Sequence, residues 1–235
     1  MSAARRRVFP VLLGSLALAQ VAYGRSRRTP AATRGIVGLM LATSLAEARR
    51  PLPVVAAGAI GFGAELVGVA TGRPFGHYTY SEQLGPRVRG VPLLAAAAWA
   101  MMARPAWAVA GRIARAPGAR VPLAAAALTS WDVYLDPRMV REGYWTWPGG
   151  GRYEGIPATN FAGWFLTGLI VFTTVAALSR DDEQDRDAAG AIALYVWTWV
   201  GEAIANAFIW RRPRVALAGG LAMGVFAVPA LLWRR

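Results

Sequence analysis

Long apolar runs alternate with short polar segments along the 235-residue chain. A membrane-spanning α-helix needs about 20 predominantly apolar residues, because the hydrocarbon core of a bilayer is about 30 Å thick. Runs of roughly this length predict eight candidate spans, at residues 9–23, 31–46, 52–71, 91–110, 121–135, 161–178, 189–210 and 215–233. The expected fold is all-α, a polytopic transmembrane helical bundle with about seven or eight spans. Residues 1–235 are expected to form a single integral membrane domain.

Composition and charge agree with a multi-pass protein of the cell membrane. Hydrophobic residues make up 55% of the chain and charged residues only 17%, against about 25% in soluble domains. The 26 basic residues, all arginine, outnumber the 13 acidic ones. They cluster between apolar runs, at residues 5–7, 25–28, 49–50, 211–214 and 234–235, where loops meet lipid headgroups. The bilayer is thus the expected partner and nucleic acid is not, since no basic face forms outside these loops. The acidic segment 181–187 is interpreted as a solvated connector.

The residue inventory also restricts the chemistry. The chain has no cysteine and one histidine, which excludes thiolate nucleophiles, thiolate metal sites and multi-histidine metal sites. Phosphate-binding loops and dinucleotide fingerprints are missing, as are the repeated aspartate-rich motifs with which prenyl transferases bind Mg²⁺. We therefore predict no metal and no cofactor.

Five acidic residues fall within or near the predicted spans, where ionisable side chains are costly and usually mark function. They are Glu47, Glu65, Asp132, Asp136 and Glu202. Asp132 and Asp136 are four residues apart, so they share one face if the helix continues, and two close carboxylates repel when both are ionised. Each acid also has a structural alternative: Glu47 as a helix-end ion pair with residues 49–50, and Glu65 and Glu202 as partners of arginines or backbone groups.

The third span carries a line of small residues that ends at Glu65. Ala57, Gly61 and Glu65 follow one another at four-residue spacing, beside a second line of Ala64, Gly68 and Gly72. Such faces let helices approach closely. The pattern therefore predicts that Glu65 points towards protein rather than lipid.

Aromatic residues are concentrated around the acids. Residues 131–164 contain Trp131, Tyr134, Tyr144, Trp145, Trp147, Tyr153, Phe161 and Trp164. An interfacial aromatic belt explains such residues structurally, whereas aromatic faces also stabilise cations by about 0.5–2 kcal/mol. A Gly- and Pro-rich segment, residues 71–80, predicts a shaped loop that carries His77, Tyr78 and Tyr80. We interpret His77 as a hydrogen-bonding or positioning residue.

Two central segments resemble one known family. The first runs from Glu65 to Gly85 (ELVGVATGRPFGHYTYSEQLG) and continues through residues 91–93 to Trp99 and residues 101–102. The second contains WD at residues 131–132, LDPRMV at 135–140, GYWTW at 143–147, YEGIP at 153–157 and NFAGW at 160–164. Together they cover about 100 residues and resemble the carotenoid-biosynthesis membrane family, which includes the carotenoid 1,2-hydratases of the γ-carotene and bacterioruberin pathways. The first two spans and the last one are generic.

The resemblance implies a cofactor-independent carotenoid 1,2-hydratase, a hydro-lyase that adds water to the terminal double bond of an acyclic carotenoid end. Other enzymes of the carotenoid pathway are candidate partners. The resemblance assigns no catalytic residues, so the roles are our hypothesis. Asp132 or Asp136 donates the proton, with Glu65 as a competing acid. The candidate substrate-binding residues are Trp131, Tyr144, Trp145, Trp147, Asn160, Trp164, His77, Tyr78, Tyr80 and Glu202.

Two other functions remain open at the level of sequence. Intramembrane carboxylates also suit a proton-coupled transporter, although the aromatic-rich region 131–164 has no counterpart in the first half of the chain. Another prenyl-lipid enzyme on the same scaffold is the second alternative. The sequence leaves open whether the substrate is lycopene, γ-carotene or a C50 bacterioruberin precursor.

Overall fold

Eight α-helices make up most of the described chain, as the apolar runs predict. The computed structural model describes residues 3–26, 28–179 and 188–232. Its helices are α1 (Ala3–Arg25), α2 (Pro30–Glu47), α3 (Leu52–Thr71), α4 (Leu93–Ile113), α5 (Pro117–Arg141), α6 (Ala158–Leu178), α7 (Ala189–Ile204) and α8 (Pro213–Leu232). Each one coincides with a predicted span, which confirms the all-α bundle. The acidic segment 181–187 lies outside the described residues, and the single-domain organisation stays a prediction.

Six of the described helices are long and apolar enough to cross a bilayer: α1, α3, α4, α6, α7 and α8. The last of these carries large apolar side chains that stay exposed, among them Leu217, Leu221 and Val225, each at least 64% exposed. Exposed apolar surface on this scale indicates contact with lipid. The chain is therefore a multi-pass membrane protein.

The helices α2 and α5 are not among these apolar spans, and about half of the residues of α5 are buried in the bundle. Five charged residues lie on α5, and three of them, Arg120, Asp132 and Asp136, are buried. Arg120 stacks its guanidinium on the Trp107 ring at 3.9 Å and donates to the Trp107 carbonyl. The central helix α4 packs against α2, α3, α5, α7 and α8. The charged helix α5 is thus shielded from lipid by its neighbours.

The small-residue line on α3 brings that helix against α4. A Cβ atom at Gly61 would overlap the indole of Trp99 on α4, so glycine is what lets the ring lie across the α3 backbone. Ala57 is fully buried and Glu65 is only 5% exposed. The prediction that Glu65 points towards protein is therefore confirmed.

Two long loops are joined at one end of the bundle. Strand β1 (Thr79–Tyr80) in the loop after α3 pairs antiparallel with strand β4 (Trp145–Thr146) in the loop after α5. A second short ladder joins β2 (Arg87–Val88) to β3 (Val91–Pro92). The Trp147 indole also donates to the Phe75 carbonyl at 3.0 Å. These contacts make a cap of residues 72–92 and 142–157 over the helix ends.

The helix α5 extends beyond its predicted end. The apolar run stops at residue 135, but the helix continues through Pro137 to Arg141. Proline in a helix removes one hydrogen bond without forcing termination, and the flanking charged residues find partners inside the bundle. As a consequence Asp132 and Asp136 occupy successive turns of one continuous helix and face the same way.

Candidate active site

A cavity lies beneath the cap, between the helices. Its apolar wall includes Met40 of α2, Ala98 of α4 and Leu135 of α5. Polar groups enter it in two places, one around Asp136 and Glu65 and the other around Arg138 and Glu202. A largely apolar pocket with a few convergent polar groups is the usual form of a binding site for an apolar small molecule.

Asp132, Asp136 and Asn160 form the first polar group. The amide nitrogen Nδ2 of Asn160, on the first turn of α6, donates to Asp132 Oδ2 at 2.8 Å and to Asp136 Oδ2 at 2.5 Å. Both acids are buried, at 0% and 2% exposure, and the single Asn160 nitrogen bridges their carboxyl groups. The Trp145 indole donates to Asp136 Oδ1 at 3.1 Å, whereas Asp132 Oδ1 is buried and finds no donor among the described residues. Only Asp136 of the two lines the cavity, so Asp132 lies behind it.

Glu65 lines the cavity as well, and three donors hold its carboxylate. The Tyr78 and Tyr80 hydroxyls both donate to Oε2, the latter at 2.8 Å, and the Trp99 indole donates to Oε1 at 3.1 Å. Burial, together with the charge of Glu65, raises the pKa of Tyr78 and of Tyr80 above the ordinary tyrosine value. Both tyrosines therefore stay neutral donors at physiological pH. A carboxylate with both oxygens occupied suits a fixed negative charge.

Aromatic rings form much of the wall around these acids. Trp99 stacks on Trp164 at a centroid distance of 4.1 Å, and Trp131 meets Trp164 edge-on at 6.1 Å. Tyr80 contacts Trp145 edge-on at 5.5 Å across the β1–β4 ladder. Stacked and edge-on pairs of this kind add about 0.5–1.5 kcal/mol beyond the area they bury. The wall is therefore rigid as well as rich in π-electron density.

The second polar group lies on α5 and α7. Arg138 donates to Glu202 Oε1 at 2.8 Å, and Asn206 donates to the Glu202 backbone carbonyl at 2.9 Å. At this point α7 passes into a short π-helical segment, Ala205–Ile209, a feature that often marks functional sites. For Glu202 the arginine pairing considered in the sequence is the one observed, and the residue also lines the cavity.

Comparison with known proteins decides the family. The model of the family described as carotenoid biosynthesis protein matches residues 8–226. The chain belongs to this family. Bisanhydrobacterioruberin hydratase of Haloarcula japonica is 34% identical to it over 135 residues. That alignment covers 54% of the chain and 44% of the relative, so the chain matches less than half of the relative's length. No solved structure matches the chain.

Most of the site residues that the sequence predicts in this family member converge on one cavity. The lining includes Glu65, Tyr78, Tyr80, Trp131, Asp136, Trp145, Trp147, Asn160, Trp164 and Glu202. Asp132 lies directly behind Asp136, as described above. Tyr144 is buried, and its hydroxyl bonds to that of Thr33, which lines the cavity. The catalytic and binding roles of these residues stay predictions.

His77 is a predicted site residue that lies outside the cavity. Its side chain is exposed, and its ring lies against Gly72, whose left-handed backbone (φ 73°) ends α3. In the loop that follows, Tyr78 is buried and His77 is exposed. His77 therefore does not line this cavity, and its role as a positioning or substrate-binding residue stays a prediction.

Several residues that contribute to the cavity did not stand out in the sequence. Gln20 and Tyr23 of α1, Thr33 of α2 and Arg138 of α5 all line it. The first two spans looked generic because their composition is ordinary. A usable signal was present, since Gln20 and Tyr23 are three residues apart and therefore share a helix face. Glu47 pairs with Arg104 of α4 at 2.7 Å. The sequence indicated only the adjacent arginines, at residues 49–50, as its partners.

Proposed function

We propose that the protein is a carotenoid 1,2-hydratase that adds water to the terminal double bond of an acyclic carotenoid end. The supporting observation is the buried Asp132–Asp136–Asn160 cluster, of which Asp136 and Asn160 line an apolar cavity together with indole rings. Hydration of a trisubstituted alkene requires a strong acid, a wall that stabilises a cation and one positioned water. The cavity offers groups suited to each of these tasks.

In the proposed mechanism Asp136 donates the proton, because it is the member of the pair that faces the cavity. Two carboxyl groups bridged by one nitrogen and shielded from solvent do not ionise together, so Asp132 keeps its proton when Asp136 gives up its own. Asn160 holds both groups in register, and the protonated Asp132 supports the charge that remains on Asp136. The proton adds to the less substituted alkene carbon, and the π-electron pair forms the new C–H bond. The other carbon becomes a tertiary cation.

The cation is then captured by water. An oxygen lone pair of water forms the C–O bond, and the resulting oxonium ion returns a proton to the carboxylate pair, which yields a tertiary alcohol and regenerates the acid. Trp131, Trp145 and Trp164 face the reacting end, and each aromatic face stabilises a desolvated cation by about 0.5–2 kcal/mol. Glu65, fixed by three donors, supplies a negative charge on the same cavity without being consumed.

The proposed substrate is an acyclic polyene dissolved in the bilayer, either a C50 bacterioruberin-type precursor or a lycopene- or γ-carotene-type end. The name of the Haloarcula relative favours the C50 precursor. The Ala- and Gly-rich helices would admit such a chain sideways from lipid, and the cap would exclude bulk water from the reacting end. We place the enzyme in the cell membrane, working without a cofactor and beside other enzymes of the carotenoid pathway.

The test is expression in one bacterium that makes lycopene and in another that makes bisanhydrobacterioruberin, followed by mass spectrometry of the pigments. We expect products heavier by one or two waters that carry ¹⁸O when the cells grow in H₂¹⁸O. The strain with the larger conversion identifies the preferred substrate. Unchanged pigments in both strains, with the protein confirmed in the membrane, would refute the proposal and direct attention to other prenyl lipids or to proton-coupled flux in liposomes. Activity that disappears with a chelator would contradict the cofactor-independent mechanism.

A further inference from the structure

A chain of hydrogen-bonding side chains leads from the surface to the cavity. At its outer end Arg28 pairs with Glu142 at 2.9 Å, with side-chain exposures of 34% and 11%. The Tyr23 hydroxyl donates to the other oxygen of Glu142 at 3.0 Å. It also bonds to the Thr33 hydroxyl at 2.8 Å, and Thr33 bonds in turn to the Tyr144 hydroxyl at 2.7 Å.

The inner members of this chain lie at the cavity itself. Tyr23 and Thr33 both line it, although they are at most 7% exposed. Tyr144 immediately precedes Trp145, whose indole donates to Asp136. The polar chain and the carboxyl pair are therefore connected both through the cavity and through two adjacent residues of the cap.

Hydration consumes one water in every turnover, and that water has to reach a cavity whose walls are largely apolar. Buried water needs about two to four hydrogen-bond partners, and hydroxyl groups suit this role because each one both donates and accepts. The Arg28 side chain of the outer ion pair is 34% exposed, and solvent weakens ion pairs at a protein surface. The pair can therefore open at little cost to admit water.

We propose that Tyr23, Thr33 and Tyr144, closed towards solvent by the Arg28–Glu142 pair, form the route by which the nucleophilic water enters the cavity. The inference rests on the proposed hydratase function. It assigns α1 and α2 a task separate from proton donation: the carboxyl pair forms the cation, and the hydroxyl chain supplies the water that captures it. A cation formed without water at hand must lose a proton and return to an alkene.

Formation of the cation and its capture by water can be measured separately by running the reaction in D₂O. A deuteron added to the alkene is retained in the alcohol if water captures the cation. If the cation instead loses a proton from a neighbouring carbon, the recovered alkene contains deuterium but no added oxygen. The ratio of deuterated alkene to alcohol therefore reports how well water reaches the cation, independently of how fast the cation forms.

The variants are Tyr23→Phe and Thr33→Val, which remove hydroxyl groups with little change in volume. The matched controls are Tyr195→Phe and Thr43→Val, because these hydroxyls are also buried but bond to Ser130 and Ala127 and to the Leu39 carbonyl, away from the cavity. Full-length protein in native membranes is supplied with lycopene or bisanhydrobacterioruberin, whichever the unchanged protein hydrates. Immunoblotting and thermal scans in detergent check that each variant is folded.

We expect each route variant to raise the ratio of deuterated alkene to alcohol by about fivefold, which corresponds to the loss of one ordinary hydrogen bond to the passing water. The controls should leave the ratio unchanged. If folded route variants leave the ratio at the wild-type value, whether total turnover falls or not, the water route is wrong while the hydratase function stands. If the unchanged protein yields neither alcohol nor deuterated alkene from either carotenoid, the proposed function fails, and the inference fails with it.

Discussion

Replacing Asp136 by Asn tests the proton donor directly, because the substitution keeps the shape of the side chain and removes its acidic proton. General acid catalysis contributes about 10²–10⁴-fold to a rate, or about 3–5 kcal/mol of barrier. Asp136 faces the cavity, so we expect its loss to lower hydration by about 10³-fold or more. Asp132 acts through Asp136, and Asp132→Asn should therefore cost less, about 10²-fold.

The structure also predicts that Asp136→Asn leaves the protein folded. The amide oxygen introduced at this position can still accept from the Trp145 indole, while the new amino group points to Asn160. If Asn160 flips its amide, its oxygen accepts from that amino group and from a protonated Asp132. The network is then satisfied again, at a cost of no more than one hydrogen bond, about 0.5–1.5 kcal/mol. The unfolding temperature in detergent should fall by only a few degrees.

The assay is conversion of the preferred carotenoid by equal amounts of membrane-inserted protein, followed by mass spectrometry. Glu202→Gln is a useful comparison, since it also neutralises a buried acid on the cavity but removes an arginine partner rather than a proton donor. We expect a much smaller loss of turnover for Glu202→Gln than for Asp136→Asn. Near-wild-type turnover in both aspartate variants would refute the assignment of the acid pair, and Glu65 would then be the acid to examine.

Three further substitutions test the helix packing, a buried ion pair and a tyrosine near the site. Gly61→Ala should push aside the Trp99 indole, and we expect it to lower both turnover and the free energy of unfolding, the latter by about 1–3 kcal/mol, as overpacking does. The control is Gly63→Ala on the same helix, where the added methyl group meets open space. This control should leave the melting temperature and pigment conversion unchanged. Glu47→Gln breaks a buried ion pair at the end of α2 that lies away from the cavity. It should lower the free energy of unfolding by about 3–5 kcal/mol and leave the specific activity of the folded fraction intact. A loss of specific activity without a loss of stability would contradict a purely structural role for Glu47. Burial and the nearby charge of Glu65 raise the pKa of Tyr80 in the folded protein. From about pH 10 upward this tyrosine ionises in the unfolded chain but keeps its proton in the folded one, so the free energy of unfolding falls as the pH rises. Tyr80→Phe should show a smaller alkaline fall in thermal scans, and an identical fall would argue against this origin.

The features that the sequence predicts well are those fixed by local spacing. Apolar runs locate the helices because six of the eight described helices are long and apolar enough to cross a bilayer. The four-residue separation of Asp132 and Asp136 places them on one face wherever the helix continues. The small residues on α3 predict the inward direction of Glu65 for the same reason. These conclusions require only the helical repeat and the cost of charge in hydrocarbon.

The features that escaped prediction depend on contacts between distant segments. The pairing of Glu47 with Arg104 joins α2 to α4, and that of Glu202 with Arg138 joins α7 to α5. Neither follows from spacing within one helix. The orientation of His77 depends on how the loop leaves Gly72, which the amino-acid types of the loop do not fix. Which residues of α1 and α2 line the cavity likewise depends on how these helices pack against the rest of the bundle.

The buried charges of α5 have a consequence for how the chain enters the membrane. An aspartate or arginine near the centre of a helix costs about 2.5–3.5 kcal/mol on insertion into a bilayer, so α5 with its five charged residues would not remain stably inserted by itself. Its predecessor α4 is apolar, and only residues 114–116 separate the two helices. We therefore expect the translocation machinery to release α4 and α5 as one hairpin, with α5 retained in a protein-lined environment until α6 arrives and Asn160 closes over the two carboxyl groups. The residues proposed to carry out the chemistry thereby also set the order in which the nascent chain assembles.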